Sequence, residues 1–288
     1  MFDPLIAIVL GIVEGITEFL PISSTGHLLI TEHFGPGWKQ SDLFNIVIQC
    51  GAVIAVLPLF QNRLRQFTKA LTNPAARDYA LQVLLAFVIT GAGGFLMEKK
   101  GFKLTENVHH IAWALLLGGV AFLAIEFWLR GRKANDQITW AIAVAVGFGQ
   151  LVAAYFPGSS RSGTTIILCL ILGLSRIAAT EFCFLVGIPT MLAAGGYKIF
   201  KAFHHPVPGT PPENWTMVIV ATLIAAVVSF VAVKWLLRYV QSHTFQAFGY
   251  YRIVVGVALL VLFHDQPATP PKQGARPIPA LAALDRLP

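Results

Sequence analysis

Glu14 and Glu18 stand four residues apart in a run dominated by Ile, Val, Phe, Leu and Gly. In helical backbone that spacing projects both carboxyl groups from one face. An ionisable group at mid-membrane costs about 2.5–3.5 kcal/mol on insertion scales, so two on one face call for a use. A carboxylate pair can bind a hard divalent cation, Mg²⁺ or Ca²⁺, or move protons; the idle alternative is a solvated pair at headgroup level. Beyond Pro21 come Ser23, Ser24, Thr25, Gly26 and His27. A chain returning across that break would turn His27 toward the carboxylates.

A second polar cluster, Pro157-Gly158-Ser159-Ser160-Arg161-Ser162-Gly163-Thr164-Thr165, supplies the opposite charge. Arg161 is the only cation from Ile138 to Leu174. Gly158 and Gly163 allow close backbone approach, and Ile166 to Leu172 read as helix. Guanidinium, hydroxyls and amides at a helix N-terminus are the parts of a phosphate cradle. The plainer reading makes Arg161 a structural counter-ion to Glu14 or Glu18. His109-His110 and His204-His205 read as solvated, and Gln49 and Glu181 as candidates to line the cavity. P-loop, Rossmann, HExxH and heptad patterns are absent from the sequence.

These clusters sit in a chain of 288 residues, 56% hydrophobic and only 12% charged, with a mean hydropathy of +0.68. A soluble domain carries about 25% charged residues, which excludes an ordinary cytosolic enzyme, a disordered chain and a disulfide-built secreted module. The expected fold class is all-α, a polytopic membrane helix bundle. Six stretches are long enough to span: roughly 44–60, 80–97, 111–129, 181–200, 217–237 and 248–263. Lys234 and Arg252 lie near span ends, where long side chains reach headgroups. Two further apolar regions, 4–31 and 138–174, are interrupted by the polar clusters. Irregular backbone at that depth survives only where protein or a watery cavity surrounds it, so both are expected to be re-entrant helix-turn-helix segments.

The net charge of +7 comes from basic residues concentrated in short connections. It reads as membrane topology, with no nucleic-acid partner. Connections 61–79 and 130–137 are expected to be cytoplasmic. Connection 98–110, with Lys99, Lys100 and Lys103, falls on the other side. The first interrupted region then opens outward, the second inward, and the C-terminus ends outside. Cys50, Cys169 and Cys183 read as core residues. Asp3, Glu14 and Glu18 argue against a signal peptide. Residues 1–263 are expected to form one membrane domain, and 264–288, rich in Pro and Ala, a disordered tail.

The interrupted regions resemble each other 136 residues apart: Gly11 with Gly147, Glu14 with Gln150, Pro21 with Pro157, Ser23-Ser24 with Ser159-Ser160. Three crossings follow each region, and an odd number inverts the second half. The expected architecture is an inverted repeat of about 1–130 and 138–263, which places a site at the repeat interface.

The strings from Glu14 to His27 and from Pro157 to Thr165 resemble the two signature regions of the bacterial undecaprenyl-diphosphate phosphatase family, associated with bacitracin resistance. The likeness runs to about Phe263, including 44–51 and 181–189. It implies a multi-pass enzyme of the bacterial plasma (inner) membrane. Such enzymes remove the terminal phosphate of the C55 polyprenyl diphosphate lipid, regenerating the monophosphate carrier for peptidoglycan synthesis with Mg²⁺ or Ca²⁺. By matching positions the acidic motif is Glu14 and Glu18, which would also be metal ligands. The hydroxyl motif is Ser23, Ser24 and Thr25, the histidine His27, and the phosphate motif Ser160, Arg161 and Thr165, with Gly158 and Ser162 beside it. The nucleophile is Ser24, His27 or water, with Ser24 favoured. The rival reading is a secondary transporter or lipid flippase using Glu14 and Glu18 to couple protons; it would release no phosphate. A non-catalytic scaffold leaves the costly charges unexplained. The sequence leaves oligomeric state open, a homodimer being one arrangement it allows.

Overall fold

The computed structural model describes residues 3–35, 38–100, 107–204 and 213–264. The tail from Asp265 onward, Lys103 and His205 lie outside the described residues, and so do the expectations placed on them. The described chain is all-helical: α1 Pro4–Thr17, α2 Ser24–Phe34, α3 Asp42–Val56, α4 Gln61–Thr68, α5 Pro74–Lys99, α6 Val108–Trp128, α7 Trp140–Tyr155, α8 Arg161–Ile171, α9 Arg176–His204, α10 Trp215–Tyr239 and α11 Gln246–Leu262.

Side-chain caps begin most of them. Asp3 accepts from the amides of Leu5 and Ile6, Ser41 from Phe44, Asn73 from Ala76, Asn107 from His109, Thr139 from Ile142 and Asn214 from Met217. Each satisfies an amide that the helix itself leaves without a partner. Both interrupted regions are helix–break–helix units, α1–α2 and α7–α8.

Among the described residues, by length and composition, five helices can cross a membrane: Asp42–Thr68, in which a 3₁₀ turn at Leu57–Phe60 joins α3 to α4, and α5, α6, α9 and α10. The chain is a multi-pass membrane protein. The sixth expected span is α11, an apolar helix of 17 residues, about 25 Å at 1.5 Å per residue, at the short end of the range for a spanning helix. Connection 61–79 is largely helical, because α4 continues from α3 and α5 starts at Pro74. Bulk faces outward: on α10, Leu223, Val227 and Val231 are exposed while Ala221, Ala225 and Ser229 are buried. Lipid is as apolar as Leu, so small residues at the interface are what let helices approach.

The halves interlock reciprocally. α1 packs on α10, and α7 packs on α5. A Cβ on Gly11 would lie 2.7 Å from the Ala221 carbonyl and 3.0 Å from Ile224; one on Gly147 would lie 3.1 Å from the Ala86 carbonyl and 2.9 Å from Ile89. One turn on, Gly15 faces Val228 of α10, whereas Leu151 of α7 faces Gly93 of α5. Glycine and bulk have changed helices, but the close approach is kept. The two halves therefore make reciprocal contacts through equivalent helices. α6 and α11 meet at Gly119 and Gly249, each against the other's carbonyl.

Gly11→Ala and Gly147→Ala should each lower the melting temperature of the detergent-solubilised protein, because overpacking costs about 1–3 kcal/mol. Gly91→Ala, whose Cβ meets nothing within 4 Å, should leave it unchanged or raise it, since Ala exceeds Gly in helix propensity by about 1 kcal/mol.

Candidate active site

Both breaks are made the same way. α1 ends at Thr17, irregular chain runs through Glu18 to Ile22, and Ser23 restarts the helix as N-cap with φ 75° and ψ 98°. α7 ends at Tyr155, the chain turns through Pro157 and Gly158 (φ 95°), and Ser160 caps α8 with φ 67° and ψ 118°. Among the described residues these serines are the only non-glycine positions at positive φ, a conformation that costs about 1–3 kcal/mol and concentrates at functional sites. Each accepts from the amide three residues on: Ser23 Oγ from Gly26 at 3.4 Å, Ser160 Oγ from Gly163 at 3.1 Å. The geometric partner of Ser23 is therefore Ser160 rather than Ser159, a register of 137. Between the proline and the capping serine the second break holds one more residue than the first, Gly158 and Ser159 against Ile22 alone.

In this register Ser24 and Arg161 are equivalent, each the first residue after its N-cap, and they meet on one carboxylate. Ser24 Oγ donates to Glu18 Oε2 at 2.6 Å, and Arg161 Nη2 forms an ion pair with Glu18 Oε1. Glu18 is 9% exposed. Arg161 Nη2 also lies 2.6 Å from Met191 Sδ on α9. Glu14, one turn earlier, is fully buried; among the described residues neither carboxylate oxygen has a partner at hydrogen-bond geometry, and it lies in electrostatic reach of Glu18 and Arg161. Its repeat mate Gln150 is likewise buried with both amide atoms unpartnered. A cavity of about 10 Å³ adjoins Glu18 and Arg161, lined by Ser162, Thr165, Cys183, Gly187 and Met191, with room for about one water.

The other expected residues are placed differently. Ser162 Oγ donates to the Leu20 carbonyl at 3.2 Å and pairs with Ser160 Oγ at 3.1 Å, stitching one break to the other. Thr165, inside α8, donates back to the Arg161 carbonyl at 2.8 Å. α8 begins at Arg161, five residues earlier than the sequence suggests, so Thr165 belongs to its second turn. Thr25 is exposed. His27 does not turn toward the carboxylates: its Nδ1 bonds the Ser23 carbonyl at 2.7 Å and its Nε2 meets Tyr251 Oη at 2.7 Å, with the rings stacked. A carbonyl can only accept, so Nδ1 carries the proton and neutral Nε2 accepts from tyrosine. Glu181 pairs with Arg63 at 2.8 Å and lines a separate cleft of about 300 Å³ with Tyr79 and Asp136.

Arg252 on α11 departs furthest from expectation. Instead of reaching headgroups it is fully buried. Nε donates to the Leu115 carbonyl (3.3 Å) and Nη1 to Pro21 (3.1 Å); Nη2 is shared among Ala114 (3.1 Å), Gly158 (3.3 Å) and Ser159 (2.9 Å). A second buried charge, Glu126, pairs with Arg176 and accepts from the Phe245 amide at 2.8 Å, tying α6, α9 and the start of α11. Its signal was an acid inside an apolar span, as for Glu14.

Removing one partner of a buried ion pair costs about 3–5 kcal/mol, because a lone charge stays behind. Arg161→Met should therefore lower the melting temperature markedly, and Arg161→Met with Glu18→Gln should recover most of the loss. Additive single losses would show that the pair carries no coupling.

With the geometry established, comparison places the chain among known proteins. The family described as "Bacitracin resistance protein BacA" matches residues 7–258. A protein of Rhizobium etli named undecaprenyl-diphosphatase is 48% identical over 261 residues, 90% of this chain and 96% of the relative. One of the same name from Xanthomonas euvesicatoria pv. vesicatoria is 48% identical, covering 91% and 97%, and one from Xanthomonas campestris pv. campestris 47%, covering 91% and 98%. Matched along nearly its whole described length, the chain belongs to the bacitracin resistance protein BacA family.

Proposed function

We propose that this protein hydrolyses undecaprenyl diphosphate to undecaprenyl phosphate and inorganic phosphate where the two breaks meet. It would thereby recycle the lipid carrier for peptidoglycan synthesis in the bacterial plasma membrane and confer bacitracin resistance. The observation that carries the mechanism is Glu18 holding the Ser24 hydroxyl on one oxygen and Arg161 on the other. A hydroxyl donating to a buried carboxylate is a nucleophile beside its base. Arg161, now satisfied by Glu18, is the cation a terminal phosphate would recruit. Once phosphate takes the guanidinium, Glu18 is free to accept the Ser24 proton. Ser24 Oγ then bonds to the terminal phosphorus as the bridging P–O bond breaks, and undecaprenyl phosphate leaves. Water then adds to the phosphorus as the Ser24 Oγ–P bond breaks, Glu18 returns its proton to Oγ, and the water's protons leave with the inorganic phosphate. Charge spreads over the equatorial oxygens in such a transfer, so a fixed guanidinium and the α8 N-terminus stabilise it electrostatically.

The donor set fits a hard divalent cation. Glu14 offers two buried, unpartnered oxygens and Glu18 lies one turn away; Mg²⁺ is usually held by one or two carboxylates plus substrate phosphates. Among the described residues no group of three or more His, Cys, Asp and Glu side chains could hold a metal alone, so Glu14 would hold it together with substrate, and Glu18 would share it only while unprotonated. Bound there, Mg²⁺ or Ca²⁺ would neutralise charge on the diphosphate. The one-water cavity means that α9 must part from the breaks for a lipid diphosphate to enter. Pro189 lies inside α9 between Gly187 and Met191 of the cavity wall, where a backbone hydrogen bond is missing.

Detergent-solubilised protein should release phosphate from a polyprenyl diphosphate without any gradient, whereas a transporter would release none. Glu18→Ala, Arg161→Ala and Ser24→Ala should each cut turnover by about 10²-fold or more, while exposed Thr25→Ala should retain most of it. Near-normal turnover in Arg161→Ala or Glu18→Ala would refute the site. Chelation should abolish release and added Mg²⁺ or Ca²⁺ restore it; release undiminished by chelator would remove the metal from the scheme.

A further inference from the structure

The geometry points to Arg252 as a positioning residue of the reaction, a guanidinium in α11 that holds both broken turns in register without touching substrate. The inference rests on the phosphatase reading. Its grounds are the acceptors: one carbonyl from the first break (Pro21), two from the second (Gly158, Ser159) and two from α6 (Ala114, Leu115). A helix broken inside a bundle leaves carbonyls without amide partners, and such groups must find other donors. Arginine presents five N–H groups in a rigid plane, so one side chain can satisfy carbonyls from three segments and fix their separation.

The slot is built for it. A Cβ on Gly118 would collide with the guanidinium, and one on Gly163 would lie 2.9 Å from Nη1. The plane therefore sits between α6 and the first turn of α8, directly behind Ser160 and Arg161. Among the described residues no carboxylate lies within ion-pair distance of Arg252, so its charge is offset by carbonyl dipoles alone. Had the chain needed only a buried ion, a nearby acid would have been the cheaper partner. The carbonyls chosen instead belong to the two segments whose spacing decides whether Ser24, Glu18 and Arg161 meet.

Lysine retains the charge but reaches fewer carbonyls. Gly118→Ala retains arginine but drives a methyl into its plane. Both variants should keep a folded, monodisperse protein with KM for polyprenyl diphosphate within about threefold of the parent. In both, kcat should fall by about 10²-fold, the scale of a misplacement near 1 Å. In Arg252→Ala, millimolar guanidinium should restore part of kcat and equal sodium chloride none. Hydrogen exchange gives a readout independent of turnover: amides at 18–24 and 158–164 should exchange at least about tenfold faster in Arg252→Lys, with α10 unchanged. The inference is overturned by parental kcat in Arg252→Lys or Gly118→Ala, by loss of kcat only in proportion to unfolded protein, or by loosening of a single break. Loosening of both breaks in Arg252→Lys, alongside a parent that releases no phosphate, would uphold the clamp while rejecting the phosphatase reading.

Discussion

Two helices interrupted inside an apolar bundle create one constraint from which the rest follows. Every carbonyl and charge the breaks expose must be answered by protein, because lipid offers no hydrogen bonds. The chain answers with side chains rather than backbone. Ser23 and Ser160 cap the restarted helices, Ser162 reaches from the second break to the Leu20 carbonyl of the first, and Arg252 joins both to α6. What remains around the breaks among the described residues is the ion pair of Glu18 and Arg161, the Ser24 hydroxyl, and the unpartnered polar atoms of Glu14, Gln150 and Ser159. These are groups whose partners are absent or exchangeable, as a site for an anionic ligand requires.

The repeat explains why Ser24 and Arg161 share one carboxylate. Ser24 and Arg161 occupy the same place in their respective halves, and the reciprocal packing of α1 on α10 and α7 on α5 brings those places together. A symmetric pair of breaks would put like groups face to face. Here the halves have diverged: serine against arginine at the first helical position, Glu14 against Gln150 one helix earlier. The scaffold is near-symmetric, with even the strained serine repeated, but the charges are complementary.

Much of this was legible in the residues, and for physical reasons. Helices in a membrane are announced by apolar runs, and a break by Pro with hydroxyls where apolar residues belong. Acids in one interrupted region and a lone guanidinium in the other made their meeting the cheapest arrangement. Arg252 was not legible because its partners are carbonyls, which every residue carries and no letter marks; near the end of an apolar run it reads as an arginine reaching for headgroups. His27 was misdirected because Tyr251, its partner, lies 224 residues away. Thr165 was assigned to a loop because nothing in the sequence places the start of α8 at Arg161. The change of register from 136 to 137 is a property of dihedral angles, visible only as one extra residue between Pro157 and Ser160.

The central claim is that the breaks meet with Ser24 and Arg161 on a common carboxylate. It is tested most directly by cross-linking in native membranes. Cysteines replace Ser24 and Arg161 in a chain whose own Cys50, Cys169 and Cys183 are substituted, with a protease site placed in connection 130–137. A short dithiol-reactive spacer should then hold the halves together on a denaturing gel after cleavage. The same reagent should not link a cysteine at Arg161 to one at Ile8, which faces outward from α1. Halves that separate in the Ser24 and Arg161 chain, or that link equally well through Ile8, would contradict the account.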